Sequence, residues 1–309
     1  MNRIHNILVI VDPTTQQQPA VAKAAVLAEK FHARLDLFIC DTKAAQNVRF
    51  AEHLRKSPQA PFGTSLSGLL DALAAPLRER GIDVTTEVTS ADPLHTALVD
   101  RVQRTCADLV VKDTHHHSIA QRTLLTNTDW ELIRGCPVPL LLVKPAAWSP
   151  AHHIAAAVDP GHADDKPRLL DRCILDVASR LSHQLNGELH AIHAYIPAAI
   201  IAASVAEPPL VIDVPAETLE QERRARLNEV LALTAEYRLP PTNVHVEAGD
   251  AKEVLARVAR ECEIDVMVMG AVSRSALKRI IIGSTAEAVL EHLPCDLLVV
   301  KGPNFAELL

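Results

Sequence analysis

The chain repeats itself, and this duplication constrains its fold more than any other feature of the sequence. Residues 7–13 read I-L-V-I-V-D-P, and residues 154–160 read I-A-A-A-V-D-P. The halves also end alike, with P-L-L-L-V-K-P at 139–145 and D-L-L-V-V-K-G at 296–302. A solenoid repeats every 20 to 50 residues or so, and a longer period indicates a duplicated domain. We therefore predict two domains, 1–147 and 148–309, joined in a short turn-rich linker.

Within each half, apolar runs alternate with segments of helical periodicity. Residues 7–11, 35–40, 84–88, 109–111 and 140–143 form short apolar or alternating runs that predict strands. Strands separated by helices indicate a parallel sheet with right-handed crossovers. We therefore predict an α/β fold of two tandem open, Rossmann-like sheets, each with five parallel strands in the order 3-2-1-4-5. Ligands of such sheets bind beyond the carboxyl ends of the strands, where the strand order reverses.

Composition excludes several classes of function. The chain has 309 residues, of which 48% are apolar, so globular domains with real cores are expected. A formal net charge of -7 argues against a general nucleic-acid binder. The absence of an apolar run of about 20 residues predicts no membrane insertion. Six cysteines without C-x-x-C spacing, and no recognisable signal peptide, are typical of reduced thiols in a cytoplasmic protein.

The stretch 264–293 combines a predicted strand with a predicted helix start. Gly270 ends the apolar run 266–269, and Gly283 precedes Ser284, with Glu287 three residues further on. This spacing predicts a capping box in which Ser284 is the N-cap. The N–H groups at a helix start, together with the helix dipole, bind phosphate or another anion. An ordinary strand–loop–helix unit without a ligand is the alternative interpretation.

These residues resemble the nucleotide motif of the universal stress protein family, G-x2-G-x9-G-[ST]. Gly270 and the pair Gly283-Ser284 match its ends, and Ser273 stands in place of the middle glycine. The whole chain resembles the tandem E-type members of that family. This resemblance implies two such domains forming a pseudo-dimer, with the edge strands 140–143 and 297–300 antiparallel to each other. A further homodimer is an additional expectation.

The resemblance also implies a binding site for ATP or another adenine nucleotide, with Mg²⁺ as an accompanying ion. Asp159 would lie at the adenine and ribose end, and the backbone near Ala194 would line the base. Glycines would let the loop backbone approach the phosphates, and hydroxyl groups would add donors. The loop residues are Gly270, Ser273, Gly283, Ser284 and Thr285. Alternatively, Asp159 is a turn former in an Asp-Pro pair. The basic residues Arg274, Lys278 and Arg279 either neutralise phosphate or face solvent.

The first half lacks the phosphate loop. Asp113 stands where Gly270 does, and Thr126 stands where Gly283 does. A carboxylate would repel phosphate, so we expect a degenerate, nucleotide-free domain. The run that contains His115 and His117 offers candidate metal ligands together with Asp113. A solvent-exposed polar loop is the preferred interpretation, and no zinc is expected.

Three functional hypotheses follow. The leading one is a cytoplasmic stress-response protein that binds ATP in its second domain and acts through unidentified protein partners, without a catalytic residue. The first alternative is a weak ATPase or nucleotide-transferring enzyme. The second is a nucleotide-free module for an apolar, lipid-like ligand, suggested by the apolar segment 196–216. We expect this segment to be covered by the first domain, by a partner chain or by such a ligand.

Overall fold

The computed structural model describes residues 4–41, 65–91, 94–114, 129–160, 169–204, 213–271 and 293–302. The chain divides into two compact units, the first ending at Ala147 and the second beginning at Trp148.

The first unit alternates strands and helices along the chain. Its described elements are β1 (Asn6–Ile10), α1 (Pro19–Phe31), β2 (Arg34–Cys40), α2 (Leu66–Glu79), β3 (Val84–Thr89), α3 (Leu94–Thr105), β4 (Leu109–Asp113) and β5 (Leu140–Val143). Residues 129–135 are also helical. The strands pair in parallel in the order β3-β2-β1-β4-β5. The predicted strand order is therefore confirmed for this unit.

The second unit repeats the pattern. Its described elements are β6 (His153–Ala157), α4 (Leu169–Leu185), β7 (Glu188–Tyr195), α5 (Ala198–Ser204), α6 (Ala216–Thr234), β8 (Val244–Ala248), α7 (Ala251–Glu261), β9 (Val266–Ala271) and β10 (Asp296–Lys301). These strands pair in parallel in the order β8-β7-β6-β9-β10. Counted within the unit, this is again 3-2-1-4-5, as predicted.

The central strands are buried on both faces. Leu8 and Val9 on β1 point to opposite faces and are both fully buried, as are Val266 and Met267 on β9. Helices on both sides of a sheet produce this pattern, which explains the continuous apolar runs in the sequence. Complete burial of one such side chain stabilises the fold by about 1.5 to 3 kcal/mol.

Helix ends depend on specific backbone contacts. Asp250 caps α7, because its side chain accepts a hydrogen bond from the Lys252 N–H at 3.0 Å. Gly81 follows α2 with φ +82°, and its N–H donates to the Arg78 carbonyl at 2.9 Å. Four other helices instead end at non-glycine residues with positive φ, namely His32, Cys106, Asn186 and Glu263. The predicted cap at Ser284 lies outside the described residues.

The apolar segment after β7 is helical over Ala198–Ser204, and residues 205–212 lie outside the described residues. Ile196, Ile200 and Ile201 are 49, 48 and 49% exposed. The Ala198 N–H lies 3.2 Å from both Glu222 carboxylate oxygens, so α6 holds the start of α5. What covers the isoleucines stays a prediction, as does the pairing of strands 140–143 and 297–300. None of the described helices combines the length and apolar character that crossing a membrane requires.

Candidate functional site

The carboxyl edge of the second sheet holds the described part of the predicted site. Strands β6 and β9 are neighbours, and the strand order reverses between them. Asp159 follows the end of β6, and Gly270 is the next-to-last residue of β9. Ala194 lies near the end of β7, on the other side of β6. The other predicted site residues lie outside the described residues, namely Ser273, Gly283, Ser284 and Thr285.

Asp159 is held between α4 and β7. Its backbone N–H donates to Asp171 Oδ1 at 3.0 Å, and its own Oδ1 lies 3.8 Å from His193 Nδ1. The Asp159 side chain is 40% exposed, so it remains accessible from the edge of the sheet. A carboxylate in this position can accept hydrogen bonds from hydroxyl groups of a ligand.

His193 is a buried polar side chain that sequence analysis did not select. It is 2% exposed, and its Nδ1 lies 3.1 Å from the Val158 carbonyl, so Nδ1 carries the proton and donates. Burial lowers the pKa of His193, which keeps the imidazole neutral. Among the described residues, Nε2 has no hydrogen-bond partner. A single histidine in an apolar strand gives no sequence signal for this position beside Asp159.

Gly270 has a packing reason to be glycine. A Cβ at this position would lie 2.7 Å from Cδ2 of Leu170, near the start of α4. Leu170 is 1% exposed and has no open space to move into. The missing side chain therefore lets α4 pack against the end of β9, independently of any ligand.

The corresponding aspartate of the first unit, Asp12, stabilises a turn. The N–H and Oγ1–H groups of Thr14 donate to Asp12 Oδ1 at 2.8 and 2.6 Å. This arrangement is an Asx turn, in which the aspartate stabilises the chain reversal after β1. Asp12 is therefore a turn former.

Asp113 occupies the end of β4 in the first unit. Its Oδ1 accepts a 2.6 Å hydrogen bond from the N–H of Ala20, the second residue of α1, and Gln18 at the N-cap makes no side-chain cap. A carboxylate is favourable at a helix start because the dipole is positive there. Asp113 is 1% exposed, and burial raises the pKa of its carboxyl group to about 7. The chain's own carboxylate thus fills this anion position. The metal candidates His115 and His117 lie outside the described residues.

A groove of about 550 Å³ lies at the opposite, amino edge of the first sheet. Its basic side chains are paired: Arg34 contacts Asp83 at 3.1 Å, and Arg80 contacts Glu29 at 2.8 Å. These exposed pairs satisfy the charges within the groove itself. We assign no ligand to it.

Comparison with known proteins decides the family. The model of the universal stress protein family matches residues 3–144 and again residues 150–301. The chain belongs to the universal stress protein family. The resemblance seen in the sequence is therefore confirmed over both halves.

Two relatives carry the same tandem organisation over almost their whole length. Universal stress protein E of Salmonella typhi is 27% identical over 308 residues, covering 99% of this chain and 96% of that protein. A universal stress protein E homolog of Haemophilus influenzae is 28% identical and covers 97% of this chain and 98% of that protein. Both similarities extend through the two universal stress protein domains.

Solved structures agree with the fold. A functionally unknown protein from Pseudomonas aeruginosa PAO1 has a TM-score of 0.75 and 28% identity, covering 98% of this chain and 95% of that one. A universal stress protein from Archaeoglobus fulgidus has a TM-score of 0.64 at 15% identity, covering 97% of both chains. The second likeness shows only that the universal stress protein fold is shared.

Proposed function

We propose that the second unit binds an adenine nucleotide, ATP above all, at the carboxyl edge of its sheet. Asp159 and Gly270 end neighbouring strands where the strand order reverses, and this placement is the observation that carries the assignment. Asp159 would accept hydrogen bonds from the ribose, and the backbone near Ala194 would line the base. The loop with Ser273, Gly283, Ser284 and Thr285 would enclose the phosphates and Mg²⁺.

The difference between the two units supports one nucleotide site rather than two. In the first unit, the Asp113 carboxylate already bonds to the Ala20 N–H at the start of α1. A phosphate there would meet a carboxyl group that ionises near pH 7. In the second unit, the equivalent strand position carries no side chain, because it is Gly270.

The protein's role would be regulatory binding in a cytoplasmic stress response rather than catalysis. In the described part of the site, the Asp159 carboxylate is 40% exposed and suits hydrogen bonding to a ligand. Nucleotide occupancy would then be read by protein partners or by a second copy of the chain. Slow ATP hydrolysis is the alternative outcome.

Calorimetry with ATP tests the site. Gly283→Asp should weaken ATP binding by about 1 kcal/mol or more, because a carboxylate at the helix start repels phosphate. The matched control is Thr126→Asp, the same change at the equivalent position of the first unit, which should leave the affinity unchanged. Equal affinity of wild type and Gly283→Asp would refute the assignment. ADP formation by wild type that disappears in Gly283→Asp would favour the enzyme.

A further inference from the structure

A cluster of nitrogen and sulfur ligands lies on the second sheet, away from the nucleotide edge. His153 is the first residue of β6, His190 the third residue of β7 and His245 the second residue of β8. These three strands are neighbours, so the side chains form a row near the amino ends of the strands. Cys262, at the end of α7, adds a thiol to the row. The nucleotide site does not use any of these residues.

The row lies on the face of the sheet opposite to that of His193. His190 and His193 are three positions apart on β7, and side chains alternate between faces along a strand. Cys262 reaches His245 from the end of α7, so the row lies on the face that α7 covers. The row is therefore separate from the contacts around Asp159.

The distances within the row fit a tetrahedral metal ion. His190 Nδ1 lies 3.2 Å from His245 Nε2, and Cys262 Sγ lies 3.7 Å from the same His245 nitrogen. All three ligand atoms lie within 4.8 Å of one another. Bonds of about 2.0 Å to nitrogen and 2.3 Å to sulfur place tetrahedral ligands about 3.3 Å apart for two nitrogens and about 3.5 Å for nitrogen and sulfur.

Hydrogen bonds among His190 Nδ1, His245 Nε2 and Cys262 Sγ cannot satisfy all three atoms at once. Nε2 of a neutral imidazole carries either one proton or one lone pair. His190 Nδ1 and Cys262 Sγ both approach His245 Nε2, so they compete for a single hydrogen-bonding position. A cation accepts lone pairs from all three atoms together.

The remaining histidine supplies a second contact to the cluster. His190 Nε2 lies 3.3 Å from His153 Nδ1. If Nδ1 of His190 ligates a metal, its Nε2–H donates to His153. A donated bond of this kind orients ligating histidines in metal sites and raises their basicity.

The duplicated unit provides an independent comparison. Leu8 pairs with Asp36 in the first sheet as Ala155 pairs with His190 in the second, so Asp36 corresponds to His190. Glu87 is opposite Phe38 as His245 is opposite Ile192, so Glu87 corresponds to His245. In the first unit, the Arg101 guanidinium bonds to both carboxylates. A cation thus already occupies this place in one of the two copies.

The position of Arg101 has no cationic counterpart in the second copy. Aligning Leu109 with Val266, the first residues of β4 and β9, places Val258 where Arg101 stands. Val258 is 1% exposed and carries no charge. The second copy therefore has two imidazoles where the first has carboxylates, and a valine where the first has the guanidinium.

We propose that His190, His245 and Cys262 form a binding site for a divalent metal ion of the Zn²⁺ class. His153 would be the outer partner of His190, and water would complete the tetrahedron. Thiolate and imidazole are the ligands that Zn²⁺ prefers, whereas Mg²⁺ and Ca²⁺ prefer oxygen. The bound ion would link α7 to β7 and β8.

Cobalt spectroscopy on the full-length chain tests the site. The protein is stripped with a chelator and titrated with Co²⁺, which should give intense visible bands of tetrahedral geometry and a thiolate charge-transfer band. Added Zn²⁺ should remove both. Cys262→Ser should abolish the charge-transfer band and weaken Zn²⁺ binding by about 100-fold or more. His153→Phe should weaken it by only about 10-fold and keep the band, because losing an outer partner costs about 10- to 100-fold.

Two controls separate this cluster from other histidines and thiols. Cys173→Ser removes a different half-buried thiol of the same unit, one that donates to the Lys301 carbonyl, and should change nothing. Replacing His115, His116 and His117 together by Ala should also leave the bands intact. A band that survives in Cys262→Ser, or is absent from the wild type, would overturn the proposal. So would its loss in the triple alanine variant. His245→Gln provides a second test and should lose the visible bands.

Discussion

Arg101→Met should destabilise the first unit by about 3 to 5 kcal/mol, the cost of breaking a buried ion pair by removing one partner. Arg101 Nε and Nη2 bond to the two Asp36 carboxylate oxygens at 2.7 and 2.5 Å, and the two side chains are 10 and 9% exposed. Without Arg101, the Asp36 carboxylate keeps a hydrogen bond from the Thr85 hydroxyl at 2.9 Å. One hydroxyl does not replace a bidentate guanidinium.

Arg104→Met is the matched control, because it makes the same change one turn further along α3. The Arg104 side chain is 50% exposed and contacts Asp100 at 2.8 Å, so its loss should cost less than about 1 kcal/mol. The double variant Asp36→Leu with Arg101→Met should recover most of the stability, since an apolar pair can replace a buried ion pair.

Urea unfolding with a fluorescence signal specific to the first unit measures these differences. The chain has two tryptophans, Trp130 in the first unit and Trp148 in the second. A Trp148→Phe background leaves buried Trp130 as the reporter and avoids treating two units as one transition. If Arg101→Met costs no more than Arg104→Met, the reasoning from burial is wrong.

Two further changes probe the strand ends. The pKa of Asp113 rises from 3.8 to about 7 on folding. Ionised Asp113 therefore lowers the free energy of unfolding above pH 7, and this destabilisation disappears below about pH 4, where the carboxyl group is protonated in both states. Asp113→Asn should therefore stabilise the first unit by up to about 4 kcal/mol above pH 7 and progressively less toward pH 4, as measured by urea unfolding across that range. A pH-independent difference would contradict the buried-acid interpretation. Gly270→Ala should lower the thermal stability of the second unit by about 1 to 3 kcal/mol, because its Cβ would meet Leu170. Gly302→Ala is the control, since a Cβ there meets nothing within 4 Å, and equal melting temperatures for the two variants would refute the packing argument.

Apolar runs predicted the strands well, and the exceptions have electrostatic causes. The last strand of the first unit was predicted and found at Leu140–Val143. Strand β4 extends two residues beyond its predicted end, through Lys112 and Asp113. Both are buried, with Lys112 paired to Asp129 at 2.7 Å, but in the sequence they look like the start of a loop. A strand that contains buried charged residues is not recognised from apolar runs when the residues that pair with those charges are distant in sequence.

Helix ends were harder to predict than helix positions. Gly81 follows α2 with positive φ, a conformation that glycine adopts without steric cost. After α1 and α3, His32 and Cys106 adopt the same region without being glycine. The N–H of the next residue then closes the turn, from Ala33 to the Ala28 carbonyl after α1. Tertiary packing overrides the local preference there.

The two candidate sites differ in how much of them can be predicted from the sequence alone. Gly270 opens a linear motif and Asp159 follows the first predicted strand of its half, so their convergence at one sheet edge followed from the strand order. His190, His245 and Cys262 lie on separate elements with irregular spacing, and only the register of β7 with β8 brings the two histidines together. Strand histidines at distant positions give no metal-ligand spacing that a sequence motif would detect.

The contact of Arg101 with Asp36 and Glu87 means that the first unit does not need an external cation at this place, whereas the second unit would need one. The guanidinium is covalently part of the chain, so the first unit carries its cation from synthesis onward. At the proposed metal site, the corresponding cation of the second unit would have to be acquired and could be withdrawn. The stability of the second unit would then follow metal supply, because an ion that binds only the native state adds RT ln(1 + [L]/Kd). The chain would thus combine a first unit whose stability is independent of metal with a second unit whose stability rises with the zinc concentration in the cell.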